Sequence, residues 1–96
     1  MSVGVNTWPV IRDNVDDVIT VSDDEIVRAM FLLWERMKII VEPSGACAVA
    51  AVLSEQFKQL PSSIKNVGVT ISGGNLDLKK IPWMVNPEKY DLTVPQ

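Results

Sequence analysis

The run Val-Gly-Val-Thr-Ile-Ser-Gly-Gly-Asn at residues 67–75 is the sequence feature that most constrains the fold. Its β-branched half predicts a short buried strand, which ends in a hydroxyl, two glycines and an amide. Glycine lets a backbone turn sharply or approach a ligand closely, and ligands in open α/β sheets lie beyond the carboxyl ends of strands. Taken alone, the run favours a strand that stops at a tight turn, with the rim of a ligand site as the alternative.

Length and charge exclude several classes of protein. The 96 residues allow one domain at most, and a net charge of −3 argues against a nucleic-acid surface. Cys47, the single cysteine, cannot form an internal disulfide and lies among small apolar residues. It therefore predicts a core position and a reducing, cytoplasmic setting. Neither a signal peptide nor an apolar run long enough to cross a bilayer is expected.

The absence of histidine narrows the possible chemistry. It removes the commonest general base, the commonest metal ligand and any Ser–His or Cys–His pair. A zinc site is not expected either, because the chain has one cysteine and no histidine to hold the metal. Any chemistry must come from Ser, Lys, Asp or Glu, or from a bound cofactor.

The first half of the chain predicts a helix, a strand and a second helix. Thr7 can cap a short helix with Pro9 in its first turn, and residues 17–21 are rich in β-favouring side chains. Ser22 and Glu25 form a capping box, which indicates a helix over about 23–41. Apolar residues at helical spacing then form a stripe along this helix, comprising Ile26, Met30, Leu33, Met37 and Ile40.

The second half predicts a further helix and strand. Glu-Pro-Ser-Gly at 42–45 separates the long helix from another, over about 44–59, whose early turns are small enough to pack closely on a sheet or helix. After residue 75 we expect a short helical turn and a loose tail, frayed over 91–96. The order α-β-α-α-β contains only two strands, too few for a protected sheet. Residues 1–96 are therefore predicted to be a single partial α/β domain.

Several stretches in order match one enzyme family. They include Asn-Thr-Trp-Pro at 6–9, Trp-Glu-Arg-Met-Lys at 34–38, Val-Glu-Pro-Ser-Gly-Ala at 41–46 and Ser-Gly-Gly-Asn-Leu-Asp at 72–77. Together they resemble the C-terminal part of the serine/threonine dehydratases, and most closely the racemase branch of that family. The resemblance implies part of the large cofactor-binding domain of a fold-type II pyridoxal-phosphate enzyme. Such an enzyme interconverts L- and D-serine and eliminates water from serine to give pyruvate and ammonia.

The resemblance also implies a pyridoxal 5'-phosphate site. Ser72 matches the serine that hydrogen-bonds the pyridine nitrogen, with Gly73 and Gly74 beside it and Glu42 in support. A neutral hydroxyl leaves that nitrogen largely unprotonated, which suits elimination and racemisation.

Regulation and assembly are implied in the same way. Racemases of this type are activated by ATP with Mg, and the nucleotide contacts match Lys38 and Asn75. Asn6 matches a position that contacts a cation, and the family is commonly homodimeric.

The residues that carry out the family's reaction have no counterpart here. The Schiff-base lysine lies in a Ser-x-Lys-x-Arg-Gly motif, and no lysine of this chain has that context. We therefore expect no catalytic residue in this chain and no activity from it alone, with the N-terminal part of the enzyme or another subunit completing the site. The alternatives are a non-catalytic binding or regulatory module, or an ordered gene fragment or proteolytic remnant.

Overall fold

The computed structural model describes residues 4–90, and its first helix, α1, spans Trp8–Asn14. Pro9 lies in the first turn, as predicted, because an N–H there has no intrahelical partner. Thr7 occupies the N-cap position without a side-chain cap bond; its Oγ1 donates instead to the Gly4 carbonyl, at 3.1 Å. No residue of α1 is buried against the described part of the chain.

Helix α2 spans Asp23–Leu32 and confirms the predicted capping box. The Ser22 N–H donates to Glu25 Oε1 at 3.0 Å, and the Glu25 N–H donates to Ser22 Oγ at 3.2 Å. These two bonds satisfy backbone donors that the first turn leaves without intrahelical partners.

The predicted extension of this helix to residue 41 is wrong. A π-helical turn over Leu33–Met37 follows α2, and Lys38 then adopts the left-handed region with φ 58° and ψ 34°. Met37 lies in the π turn and Ile40 follows the left-handed residue, which redirects the chain. Both are off the helical stripe, and they are 60% and 57% exposed.

The predicted helix over 44–59 is divided in three. A 3₁₀ turn covers Ser44–Ala46, helix α3 covers Cys47–Val52 and helix α4 covers Glu55–Lys58. The break between α3 and α4 lies at Ser54, whose backbone is extended. Ser54 is buried, and its hydroxyl bonds to backbone groups on both sides of the break. It donates to the Ala51 carbonyl at 2.6 Å and accepts from the Phe57 N–H at 3.3 Å.

The helical turn expected after residue 75 is present as two short elements. A 3₁₀ turn spans Leu78–Lys80, capped by Asp77, and helix α5 spans Pro82–Val85. The Trp83 ring of α5 packs edge-on against Phe31 and Trp34, which ties the C-terminal segment to α2 and the π turn. The tail predicted to fray, residues 91–96, lies outside the described residues.

Neither predicted strand forms within residues 4–90, which are all-helical apart from irregular segments. A strand needs a hydrogen-bonding neighbour, and segments 17–21 and 67–71 do not pair with each other or with other described residues. Without one, Val67 and Ile71 remain 49% and 38% exposed rather than buried. Residues of both segments line a cleft of about 430 Å³, together with residues of α3 and α4.

The core lies where α2 and the π turn pack on α3. Met30 and Val41 are its largest fully buried side chains, joined by Ala29, Leu33, Ala46 and Ala50. The small residues Ala46 and Ala50 permit the close helix packing that the sequence predicts. Cys47, the first residue of α3, is exposed and does not belong to this core, so its predicted core position is wrong. Across residues 4–90, no helix has the length and apolarity that a membrane crossing requires.

Candidate functional site

Two motifs that are distant in sequence meet in the fold. The segment that leads into and includes the 3₁₀ turn, residues 40–46, lies against the loop at 72–75. The Glu42 N–H donates a hydrogen bond of 2.6 Å to the Gly73 carbonyl and joins them directly. The Glu-Pro-Ser-Gly and Ser-Gly-Gly-Asn motifs therefore form one surface rather than two separate turns.

The contact depends on glycine at two positions. A Cβ on Gly45 would overlap the Ser72 carbonyl oxygen and lie 2.8 Å from the Ser72 carbonyl carbon. Gly73 has φ +75°, and a Cβ there would overlap the Glu42 carboxylate. Gly74 has more room, since its Cβ would lie 3.2 Å from the Ile40 carbonyl oxygen. Gly45 and Gly73 are thus required for the loop to reach its position.

Ser72 presents a polar group that is open to a ligand. Ser72 is exposed, and its hydroxyl makes no hydrogen bond to any residue in the described part of the chain. Glu42 is half-buried, with its carboxylate against Gly73. A free neutral hydroxyl can donate to a heteroaromatic nitrogen, and the role of Ser72 toward the pyridine ring of pyridoxal 5'-phosphate stays a prediction.

The two residues matched to nucleotide contacts lie on neighbouring segments. Gly74 packs near the Ile40 carbonyl, which brings the chain around Lys38 close to the chain around Asn75. Both side chains are exposed, and Lys38 Nζ donates to the Glu35 carbonyl at 2.7 Å. The nucleotide role of Lys38 and Asn75 stays a prediction.

Asn6 lies in the turn before α1 and is exposed. Within residues 4–90, no group of three or more His, Cys, Asp or Glu side chains could hold a metal ion. A cation contact at Asn6 therefore stays a prediction.

Sequence reasoning missed the role of Trp34. Its indole Nε1–H donates to the Val41 carbonyl at 3.0 Å, directly beside the Glu42–Gly73 contact. The signal in the sequence was that Trp34 lies partly off the apolar stripe of the helix, in a segment otherwise rich in charge.

Comparisons with known proteins identify the family to which this chain is similar. The family model for pyridoxal-phosphate dependent enzymes matches residues 1–73. The serine racemase of Bos taurus is 52% identical over 83 residues, covering 86% of this chain and 25% of that protein.

Solved structures of two racemases are also similar to this chain. The crystal structure of serine racemase from Dictyostelium discoideum matches with a TM-score of 0.76 and 55% identity, over 81% of this chain and 25% of that one. A pyridoxal 5'-phosphate-dependent aspartate racemase matches with a TM-score of 0.78 and 41% identity, over 83% and 25%. The chain spans about a quarter of the length of these relatives. With most of its residues matched by the family model, the chain belongs to the pyridoxal-phosphate dependent enzymes.

Proposed function

We propose that this chain forms the wall of a pyridoxal 5'-phosphate site that contacts the pyridine nitrogen, in a serine racemase-like enzyme. The enzyme interconverts L- and D-serine and also eliminates water from serine to give pyruvate and ammonia. The observation that carries the proposal is the Glu42–Gly73 hydrogen bond. It holds the loop bearing Ser72 against the Glu-Pro-Ser-Gly segment, and both motifs are those that the family resemblance implies.

Each residue of this wall has a distinct role in the proposal. When bound, the cofactor supplies an electron sink for the charge that develops at the substrate Cα. The Ser72 hydroxyl holds the ring nitrogen without giving it a full positive charge, which an acidic residue would favour. Gly73 and Gly74 keep the loop free of side chains, and Glu42 anchors the loop through its backbone N–H.

The chain alone is proposed to be inactive. None of its lysines lies in the Ser-x-Lys-x-Arg-Gly context that the family uses to bind the cofactor covalently. The same proposal includes serine as substrate, ATP with Mg as an activator at Lys38 and Asn75, and a homodimeric enzyme.

A chimera tests the role of Ser72. This chain replaces the matching quarter of the Dictyostelium discoideum enzyme, and the chimera is assayed for D-serine and pyruvate with added pyridoxal 5'-phosphate. Ser72→Ala is expected to lower kcat and shift the absorbance of the bound cofactor. The control is Ser63→Ala, an exposed loop serine outside the site, which should behave as the parent. Equal activity and equal spectra for the Ser72→Ala chimera and its parent would overturn the proposal.

Aspartate is the second candidate substrate, because a pyridoxal 5'-phosphate-dependent aspartate racemase is as similar in fold as the serine racemase. The same chimera can be offered L-aspartate in parallel with L-serine. Faster turnover of aspartate would favour this second function.

A further inference from the structure

Trp34 is linked to the candidate site through a single peptide group. Its indole N–H donates to the Val41 carbonyl at 3.0 Å, and the next N–H along the chain, that of Glu42, donates to the Gly73 carbonyl at 2.6 Å. The Val41 C=O and the Glu42 N–H belong to the same planar unit. The indole and the Gly73 carbonyl therefore bond to the two ends of one peptide group.

Hydrogen bonds in such a chain reinforce one another. A carbonyl that accepts a bond polarises its peptide group and makes the N–H on the other side a stronger donor. The three groups are the indole of Trp34, the peptide between Val41 and Glu42, and the carbonyl of Gly73. Loss of the first bond is thus transmitted to the second without any change in side-chain packing at Gly73.

Packing holds the indole in place for this role. Trp83 lies edge-on to Trp34 with ring centroids 5.5 Å apart and planes at 88°. Val41 is fully buried, and its side chain would lie 2.6 Å from a Cβ on Gly45. The acceptor carbonyl and the donor ring are therefore both fixed by packing, and the indole has little freedom to seek another partner.

We propose that Trp34 is a positioning residue for the cofactor wall: its N–H orients the Val41–Glu42 peptide, which in turn places the Ser72 loop. The inference rests on the proposed function for its effect on the cofactor. It predicts that the indole N–H, rather than the aromatic bulk of Trp34, sets the affinity for pyridoxal 5'-phosphate.

The test separates the N–H from the ring. In the chimera, Trp34 is replaced by phenylalanine and, by amber suppression, by benzothienylalanine, which keeps the bicyclic shape but has no N–H. Trp8→Phe is the matched control, because the Trp8 indole on α1 is exposed and makes no hydrogen bond or ring contact within the described residues. Amide hydrogen exchange at Glu42 and the Kd for pyridoxal 5'-phosphate are measured for each variant.

Both Trp34 variants are expected to exchange the Glu42 amide hydrogen roughly fivefold faster and to bind the cofactor roughly fivefold more weakly, the effect of one hydrogen bond. Trp8→Phe is expected to change neither. If benzothienylalanine at position 34 leaves the exchange rate or the Kd unchanged, or if Trp8→Phe has the same effect on both, the inference is overturned. Exchange at Glu42 is read without cofactor as well, so failure of this inference is distinct from failure of the Ser72 proposal.

Discussion

Gly45→Ala is the substitution that most directly tests the contact between the two motifs. The new methyl group would overlap the Ser72 carbonyl oxygen and lie 2.6 Å from Val41 Cγ2. Neither neighbour can move easily, because one is backbone and the other belongs to a fully buried side chain. The Ser72 loop must therefore move away from the 3₁₀ turn at Ser44–Ala46.

The magnitude follows from three opposing effects. Alanine in a helical turn gains about 0.5–1 kcal/mol over glycine. Overpacking costs about 1–3 kcal/mol, and loss of the Glu42–Gly73 hydrogen bond costs about 1 kcal/mol more. The gain and the lost hydrogen bond roughly offset each other, so we expect Gly45→Ala to lower the free energy of unfolding by about 1–3 kcal/mol.

Urea unfolding of the chain, followed by tryptophan fluorescence, measures this change, and equal m-values show that the two proteins unfold alike. Gly68→Ala is the matched control, since no atom lies within 4 Å of its added Cβ, and it should change stability by less than about 0.5 kcal/mol. A Gly45→Ala protein as stable as the parent would refute the close approach of the two segments.

Three further predictions concern the helices and the cysteine. Ser22→Ala removes the capping box of α2 and should lower the free energy of unfolding by about 1 kcal/mol. The control is Ser62→Ala, a change in an exposed loop, which should leave stability unchanged. Equal urea midpoints for the two variants would contradict the stabilising role of the cap. Met30→Ala leaves a cavity at a fully buried position and should lower the free energy of unfolding by about 2–5 kcal/mol in the same assay. Met37→Ala, at an exposed position, should lower it by less than about 0.5 kcal/mol. Cys47 is exposed, so its thiol should react with a disulfide reagent in the folded chain nearly as fast as in urea. Much slower reaction in the folded chain would show that Cys47 is buried.

Features that depend on neighbouring residues were predictable from the sequence. The capping box needs only Ser22 and Glu25 three positions apart, and the structure forms both of its hydrogen bonds. Pro9 in the first turn of α1 follows in the same way from its missing N–H. The motif resemblance likewise identified the family, which the comparisons confirm.

Features that depend on distant residues were not predictable. The run at 67–71 has the composition of a strand, but strand formation is decided by a hydrogen-bonding neighbour, and the described residues contain none. The helix stripe continued to Ile40 in the sequence, yet the π turn and left-handed Lys38 end the helix earlier and place Val41 in the core.

The stretch from Val67 to Asn75 illustrates both what the sequence determines and what depends on the tertiary structure. The sequence by itself determined its chemistry, a hydroxyl and two glycines that match a cofactor wall, because side-chain identity and local conformational freedom are properties of the residues themselves. Only the tertiary structure decided that the Gly73 carbonyl accepts from the Glu42 N–H and that the Trp34 indole donates to the Val41 carbonyl of the same peptide group. Such contacts depend on how far the intervening helices turn and where they end, which local propensities do not specify.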